Sequence, residues 1–166
     1  MIALDHFNHL SRTEAQQLVE PCVALPAWAE TLVDHRPYPD HAALMAFASQ
    51  LTQAWGAAEL NQALSAHPRI GERPTGEQAH AALSRQEQAA VNQQDASLAE
   101  RLRAGNARYE AQFGRVFLIR AKGRSGEEIL EALTQRLTNS EAEEVQESLA
   151  QLREITLLRL AGAIGE

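Results

Sequence analysis

Cysteine is almost absent from this sequence: Cys22 stands alone, so no disulfide can form within the chain, which fits a reducing compartment. Absent too is any run of about 18 apolar residues able to span a membrane. Basic side chains are the minority, 15 against 22 acidic ones, for a net charge of −7. That balance argues against a nucleic-acid backbone or an anionic membrane surface as the main partner, while a locally positive pocket could still take a small anionic substrate. The opening MIALDHFNHL has neither the basic n-region nor the long apolar stretch of a secretory leader, and the closing AGAIGE carries no peroxisomal Ser-Lys-Leu type ending. A cytoplasmic protein is therefore expected.

Several catalytic signatures are missing as well. There is no His-Glu-x-x-His and no cysteine pair, and of six histidines only His6 and His9 have ligand-like i, i+3 spacing, close to a terminus expected to fray. No metal is expected. No Gly-x-Ser-x-Gly elbow marks a serine hydrolase, and GRSG at 123–126 lacks the Gly-Lys-Ser/Thr ending of a phosphate loop.

What remains is helix-forming. Aromatics make up only 5 % of 166 residues, and alanine, leucine, glutamate, glutamine and arginine dominate. An all-α fold follows, a single-domain bundle of about seven to nine helices over residues 1–166, large enough to bury roughly 70 % of its unfolded surface. Ser-x-x-Glu occurs at Ser11, Ser84, Ser125 and Ser140, each in the form of a capping box. With the apolar spacing, these predict helices near 11–19, 27–35, 40–55, 57–66, 84–113 (with a break around Asn92–Ala96), 125–138 and 140–161. Pro21, Pro37, Gly56, Pro68, Gly114 and Gly123 supply the stops.

Four features do not fit a plain helical bundle. In LSAHPRIGER, His67 stands directly before Pro68, so the preceding helix must end there. Its imidazole is either a cation suited to a helix C-terminus or a general acid–base. Ser84 and Glu87 are either a fourth cap, whose free first turn could also cradle an anion, or part of a polar site. FGRVFLIRAKG, 113–123, packs four apolar residues between glycines and reads equally as a buried extended segment or a helical turn. If extended, its amides need acceptors from elsewhere. In the last helix, counting 100° per residue from Val145, Leu149, Leu152, Thr156 and Leu160 fall within about 60° of one direction. Arg159 falls there too, at about −40°, with Arg153 at the edge. A guanidinium on the core side demands a partner. Tyr109 reads as core packing with a bonded hydroxyl.

Taken in order, HPRIGER, LSRQEQ, NARYEAQFGRVFLIRAKGRSGEEIL, RLTNS and EITLLRL resemble the 2-oxo-4-hydroxy-4-carboxy-5-ureidoimidazoline (OHCU) decarboxylases of urate breakdown, over most of the chain. The resemblance implies an all-helical, cofactor-free decarboxylase acting on OHCU, a small molecule, to give (S)-allantoin. By position, the family's catalytic histidine falls on His67 and its neighbouring proline on Pro68. The Ser-x-x-Glu-Gln segment falls on Ser84, Glu87 and Gln88, with Glu87 as the second catalytic group. The substrate-lining backbone falls on Ile119, Arg120, Ala121, Lys122 and Gly123, and the late arginine on Arg159. A homodimer is implied too. Two competing expectations are a non-catalytic helical interaction module, which would show an exposed apolar stripe, and a metal-dependent hydrolase sensitive to chelators.

Overall fold

The computed structural model describes residues 1–67, 69, 79–88 and 96–166. Nine α-helices lie among the described residues: α1 (Leu4–His9), α2 (Arg12–Val19), α3 (Pro26–Asp34), α4 (His41–Thr52), α5 (Ala57–Leu64), α6 (Ala79–Glu87), α7 (Ala96–Phe113), α8 (Gly126–Arg136) and α9 (Glu141–Ala163). A 3-10 turn follows α2 at Glu20–Cys22. The all-α expectation holds, with one addition: β1 (Ile2–Ala3) pairs in parallel with β2 (Ile164–Gly165).

Three of the four serine boxes are helix starts. Ser11 accepts from the Glu14 amide, and Ser125 and Ser140 make both reciprocal bonds with Glu128 and Glu143. These bonds satisfy amides that a first helical turn leaves orphaned. Gly114 and Gly123 have φ of +73° and +82°, a region open to glycine at little cost, and so they end α7 and turn the chain before α8.

The chain forms two compact units, Met1–Ala63 with Arg153–Glu166, and Leu64–Leu152. In the first, Phe7, Val19, Leu32, Leu44, Leu60 and Leu160 are fully enclosed. The expected fraying of the N-terminus is not seen. Leu4 and Phe7 are buried, Asn8 exchanges two hydrogen bonds with the Tyr38 backbone, and the Arg36 guanidinium caps the end of α1 through the carbonyls of Phe7 (2.7 Å) and Leu10 (2.8 Å). An amphipathic turn tied down by buried apolar groups and a charged donor does not fray merely because it is terminal. Arg153, placed at the edge by the helical count, is half-buried and donates to the carbonyls of Thr52 and Trp55.

The second unit is built around Leu98, Leu102, Tyr109, Phe117, Ile119, Ala121, Ile129 and Leu133. Tyr109 meets Phe117 edge-on at 5.2 Å and Phe113 at 4.7 Å. Helices α7 and α8 approach closely at Gly105, where a Cβ would lie 2.5 Å from Leu133 Cδ2.

Candidate functional site

Histidine 67 lies three residues beyond α5, its backbone amide bonded to the Leu64 carbonyl at 3.1 Å. The helix does end short of the His-Pro pair, as the proline requires. The imidazole is half-buried, and its Nε2 is shielded from solvent. Pro68 lies outside the described residues.

The serine box at Ser84 is overturned as a cap. Helix α6 begins at Ala79, so Ser84 sits in mid-helix and Glu87 closes it. The preceding AHAAL is made of good helix formers that carry the helix back past the serine, and Ser-x-x-Glu is also the spacing of two residues on one helical face. With the cap goes the anion cradle that a free first turn at Ser84 would have offered. The break expected around Asn92–Ala96 within 84–113 falls largely outside the described residues, which on either side of it form α6 and α7.

Losing the cap leaves Ser84 needing another explanation. Ser84 is 2 % exposed and Gln88 4 %, one turn apart, with Glu87 half-buried between them. Two polar side chains buried on one face of a short helix are costly unless they meet polar groups. Apolar residues would serve packing better.

Residues 116–121 belong to no helix and no ladder. Phe117, Ile119 and Ala121, alternate residues, enter the core cluster, which is the period of an extended chain and decides between the two readings of this run. Its polar groups are taken by side chains from far along the sequence. Arg136 Nη1 donates to the Leu118 carbonyl at 2.6 Å, and the Arg120 amide donates to Gln151 Oε1 at 2.8 Å. The Ala121 carbonyl accepts from the Arg124 amide as the chain turns at Lys122 and Gly123, both exposed. Among the described residues, no acceptor takes the amides of Ile119, Ala121, Lys122 or Gly123. The Arg120 amide, by contrast, is committed to the protein.

The sequence reasoning missed the group that holds this segment. Arg136 is 6 % exposed and Glu144 0 %. The guanidinium reaches Glu144 through Nε at 2.9 Å and Nη2 at 2.7 Å, bonds Ser148 Oγ at 3.0 Å, and lies over the Phe117 ring at 4.5 Å. Tyr109 donates to Glu144 Oε2 at 2.6 Å, so its hydroxyl is bonded as expected. Burial, and then that bond, push the Tyr109 phenol up to about 12. A signal did exist: Ile129, Leu133 and Arg136 share one helical stripe, the same anomaly that singled out Arg159.

Arg159 is buried at 5 % exposure on the core side of α9 along with Leu149, Leu152, Thr156 and Leu160, as the helical count predicts. It belongs to the first unit, where Nη1 donates to the Pro21 carbonyl at 3.1 Å. The other expected site residues, His67, Ser84, Glu87, Gln88 and 119–123, all belong to the second.

Among the described residues no group of three or more His, Cys, Asp or Glu is arranged to hold a metal ion, and no helix is long and apolar enough to cross a membrane. Met1 is the one large apolar side chain among them that is exposed, so the stripe an interaction module needs is not found there. A cavity of about 590 Å³ in the first unit, bordered by Asp5, Asp40, His41 and Glu166, contains none of the expected site residues.

Buried serine and glutamine side chains and a shielded histidine nitrogen stand in the same unit as an extended segment whose Ile119 and Ala121 amides meet no acceptor among the described residues. The sequence matches the OHCU decarboxylase family over residues 8–161. The chain belongs to that family. It is 32 % identical to the 2-oxo-4-hydroxy-4-carboxy-5-ureidoimidazoline decarboxylase of Amia calva, over 87 % of this chain and 81 % of the other. It is 35 % identical to the uric acid degradation bifunctional protein TTL of Arabidopsis thaliana over 60 % of this chain, a region that makes up only 32 % of that longer protein. In fold it is similar to OHCU decarboxylase crystallised in the presence of (S)-allantoin, with a TM-score of 0.73 and 24 % identity, covering 88 % of this chain and 96 % of that one. It is likewise similar to (S)-allantoin synthase, with a TM-score of 0.74 and 17 % identity, covering 98 % of this chain and 54 % of that one.

Proposed function

We propose that this protein decarboxylates OHCU to (S)-allantoin in urate catabolism, without a cofactor. The observation that carries this reading is the family match across residues 8–161. It is supported by the buried polar face of α6 and by the amides of the extended segment.

Decarboxylation breaks the bond to CO₂ and leaves its electron pair on the ring carbon. The substrate's conjugated carbonyl and ring nitrogen can accept that pair, so the protein has three tasks: to orient the carboxylate, to stabilise developing negative charge and to deliver one proton to one face. His67 is the proton donor in this scheme, steered by Glu87. Ser84, Gln88 and Pro68 orient the substrate, and amides within 119–123 stabilise the developing enolate-like oxygen. Arg159 binds a substrate oxygen as a fork, a role drawn from the family resemblance. Delivery from a fixed imidazole accounts for a single enantiomer.

The finer reading adds a homodimer, which sedimentation equilibrium tests, and cytoplasmic residence, which suits a lone buried cysteine, Cys22, that is in no disulfide.

The decisive experiment generates the unstable substrate in place, from urate with urate oxidase and hydroxyisourate hydrolase, and follows (S)-allantoin by circular dichroism. Acceleration in proportion to added protein is expected. A signal that forms at the spontaneous rate, whatever the protein concentration, rules the activity out.

A further inference from the structure

We propose that Arg69 and Glu110 form a latch that orients the imidazole of His67, and that both are positioning residues for the decarboxylation. The inference rests on the functional reading above, in which His67 donates the proton.

His67 stands outside any helix, yet the chain is fastened on either side of it. Upstream, its own amide bonds the Leu64 carbonyl at 3.1 Å. Downstream, the next residue is a proline, which has no N–H, so no backbone donor from that position can tie the chain down. A side chain takes over the task one residue later. The Arg69 guanidinium crosses to Glu110 of α7, 41 residues on, with Nε 2.8 Å from Oε2 and Nη2 2.9 Å from Oε1. Two such bonds between planar groups fix direction as well as distance, which a single contact or a lysine would not.

Glu110 is a firm point of attachment. It follows Tyr109, which has no exposed surface and whose hydroxyl donates to Glu144 Oε2 at 2.6 Å. The Glu110 carbonyl accepts from the Gly114 amide at 2.9 Å, closing the helix. The carboxylate is otherwise badly placed: it lies in the last turn of α7, at the negative end of the helix dipole, and that turn has no basic residue of its own. Arg69 supplies the positive charge that an acid there requires. Two residues of chain reach at most about 7 Å, so a fastening at Arg69 limits where the His67 ring can point.

The arginine side chain is 48 % exposed and the carboxylate 26 %. Such a pair adds little to stability, so a purely structural purpose would be poorly served by it. Its modest hold is enough, however, to favour one orientation of a ring by about fivefold.

The histidine ring resonances test the latch without reference to turnover. Arg69→Gln and Glu110→Gln should each move the His67 signal, identified by its absence from His67→Ala, and leave those of the other histidines in place. In turnover of OHCU generated from urate, each should lower kcat by about fivefold, with KM and melting temperature unchanged. The variant carrying both changes should lose no more than either, because the second removes a partner already lost. A His67 signal that stays in place in both variants overturns the latch, and so do kcat losses that multiply in the double variant. A raised KM in Arg69→Gln that Glu110→Gln does not share means that the arginine holds substrate directly, which also overturns it. A wild type that does not accelerate OHCU breakdown defeats the functional reading, whereas the ring spectra still decide whether Arg69 and Glu110 hold His67.

Discussion

Arg136 and Glu144 form an ion pair from which water is all but excluded: the carboxylate has no exposed surface, and the guanidinium meets it through Nε and Nη2 at 2.7–2.9 Å. Around the pair, Tyr109, Ser148, Asn139 and the Leu118 carbonyl take up the remaining donors and acceptors. A fully bonded pair of this kind adds little net stability over an apolar replacement, but removing one half strands the other in the core. Glu144→Ala should therefore destabilise the fold by about 3–5 kcal/mol in urea denaturation. Arg12→Ala breaks the exposed pair with Asp34 and should leave the transition midpoint almost unmoved, because solvent screens that pair.

The two tyrosines of the chain report on the same burial. Tyr109 is held neutral by burial and by donating to Glu144, with its phenol pushed up to about 12, and burial moves Tyr38 upward as well. A raised value means that the fold favours the neutral phenol. That contribution is complete below the ordinary phenol value of 10.0 and is lost as pH rises through the folded one. Phenolate absorbance near 295 nm (about the usual band) should therefore stay flat past pH 10 and rise together with loss of the helical signal. In urea, both phenols should titrate near 10. A phenol that ionises near 10 in the folded protein contradicts the buried hydroxyl network.

Acid acts at the helix starts with the opposite sign. The carboxyls of Glu128 and Glu143 are held below their usual 4.5, first by backbone hydrogen bonds from Ser125 and Ser140 and then by the serine hydroxyls. A lowered value means that the fold favours the carboxylate, so this support is complete above 4.5 and disappears as pH falls through the folded values. Melting temperature should drop across that window. Glu128→Gln and Glu143→Gln should each flatten the acid dependence, since each removes the carboxylate whose ionised form the box favours. A wild-type acid profile in the double variant means that the boxes are not what the pH dependence reports.

These same boxes show where sequence is sufficient. Ser11, Ser125 and Ser140 are local devices, decided by residues within one turn, and they are where the pattern places them. Ser84 carries the same pattern, but the helix formers before it carry α6 back to Ala79. The 113–123 segment was ambiguous because a short apolar run looks the same buried in a strand or in a helix. Its conformation depends on acceptors and donors 18 and 31 residues away, Arg136 and Gln151, which no window contains. Arg159 was legible because a charge on an apolar stripe is a contradiction visible in the spacing. Arg136 offered that contradiction too, but its partner Glu144 sits in an acidic first turn where a solvated carboxylate is the ordinary reading. The chemical roles of His67, Ser84, Glu87 and Gln88 came from the family resemblance. Physics alone left each open between structure and function.

The sharpest division between those two readings lies at His67 and Glu87. If His67 is only the residue at which α5 has ended, its imidazole contributes little, and His67→Ala changes stability slightly and turnover not at all. As proton donor, its loss should lower kcat by about 10²–10⁴-fold, the usual worth of a positioned acid–base, while the circular dichroism spectrum and melting temperature stay close to wild type. Glu87→Gln separates charge from shape, because the amide keeps the size and a hydrogen-bonding oxygen. A group that steers the imidazole should lose turnover on that change far more than stability, and the pH profile of kcat should shift with it, since a neighbouring carboxylate favours imidazolium. A Glu87→Gln protein that melts lower but turns over normally returns Glu87 to the role of a helix-end residue. A His67→Ala protein with undiminished (S)-allantoin formation requires a different proton donor.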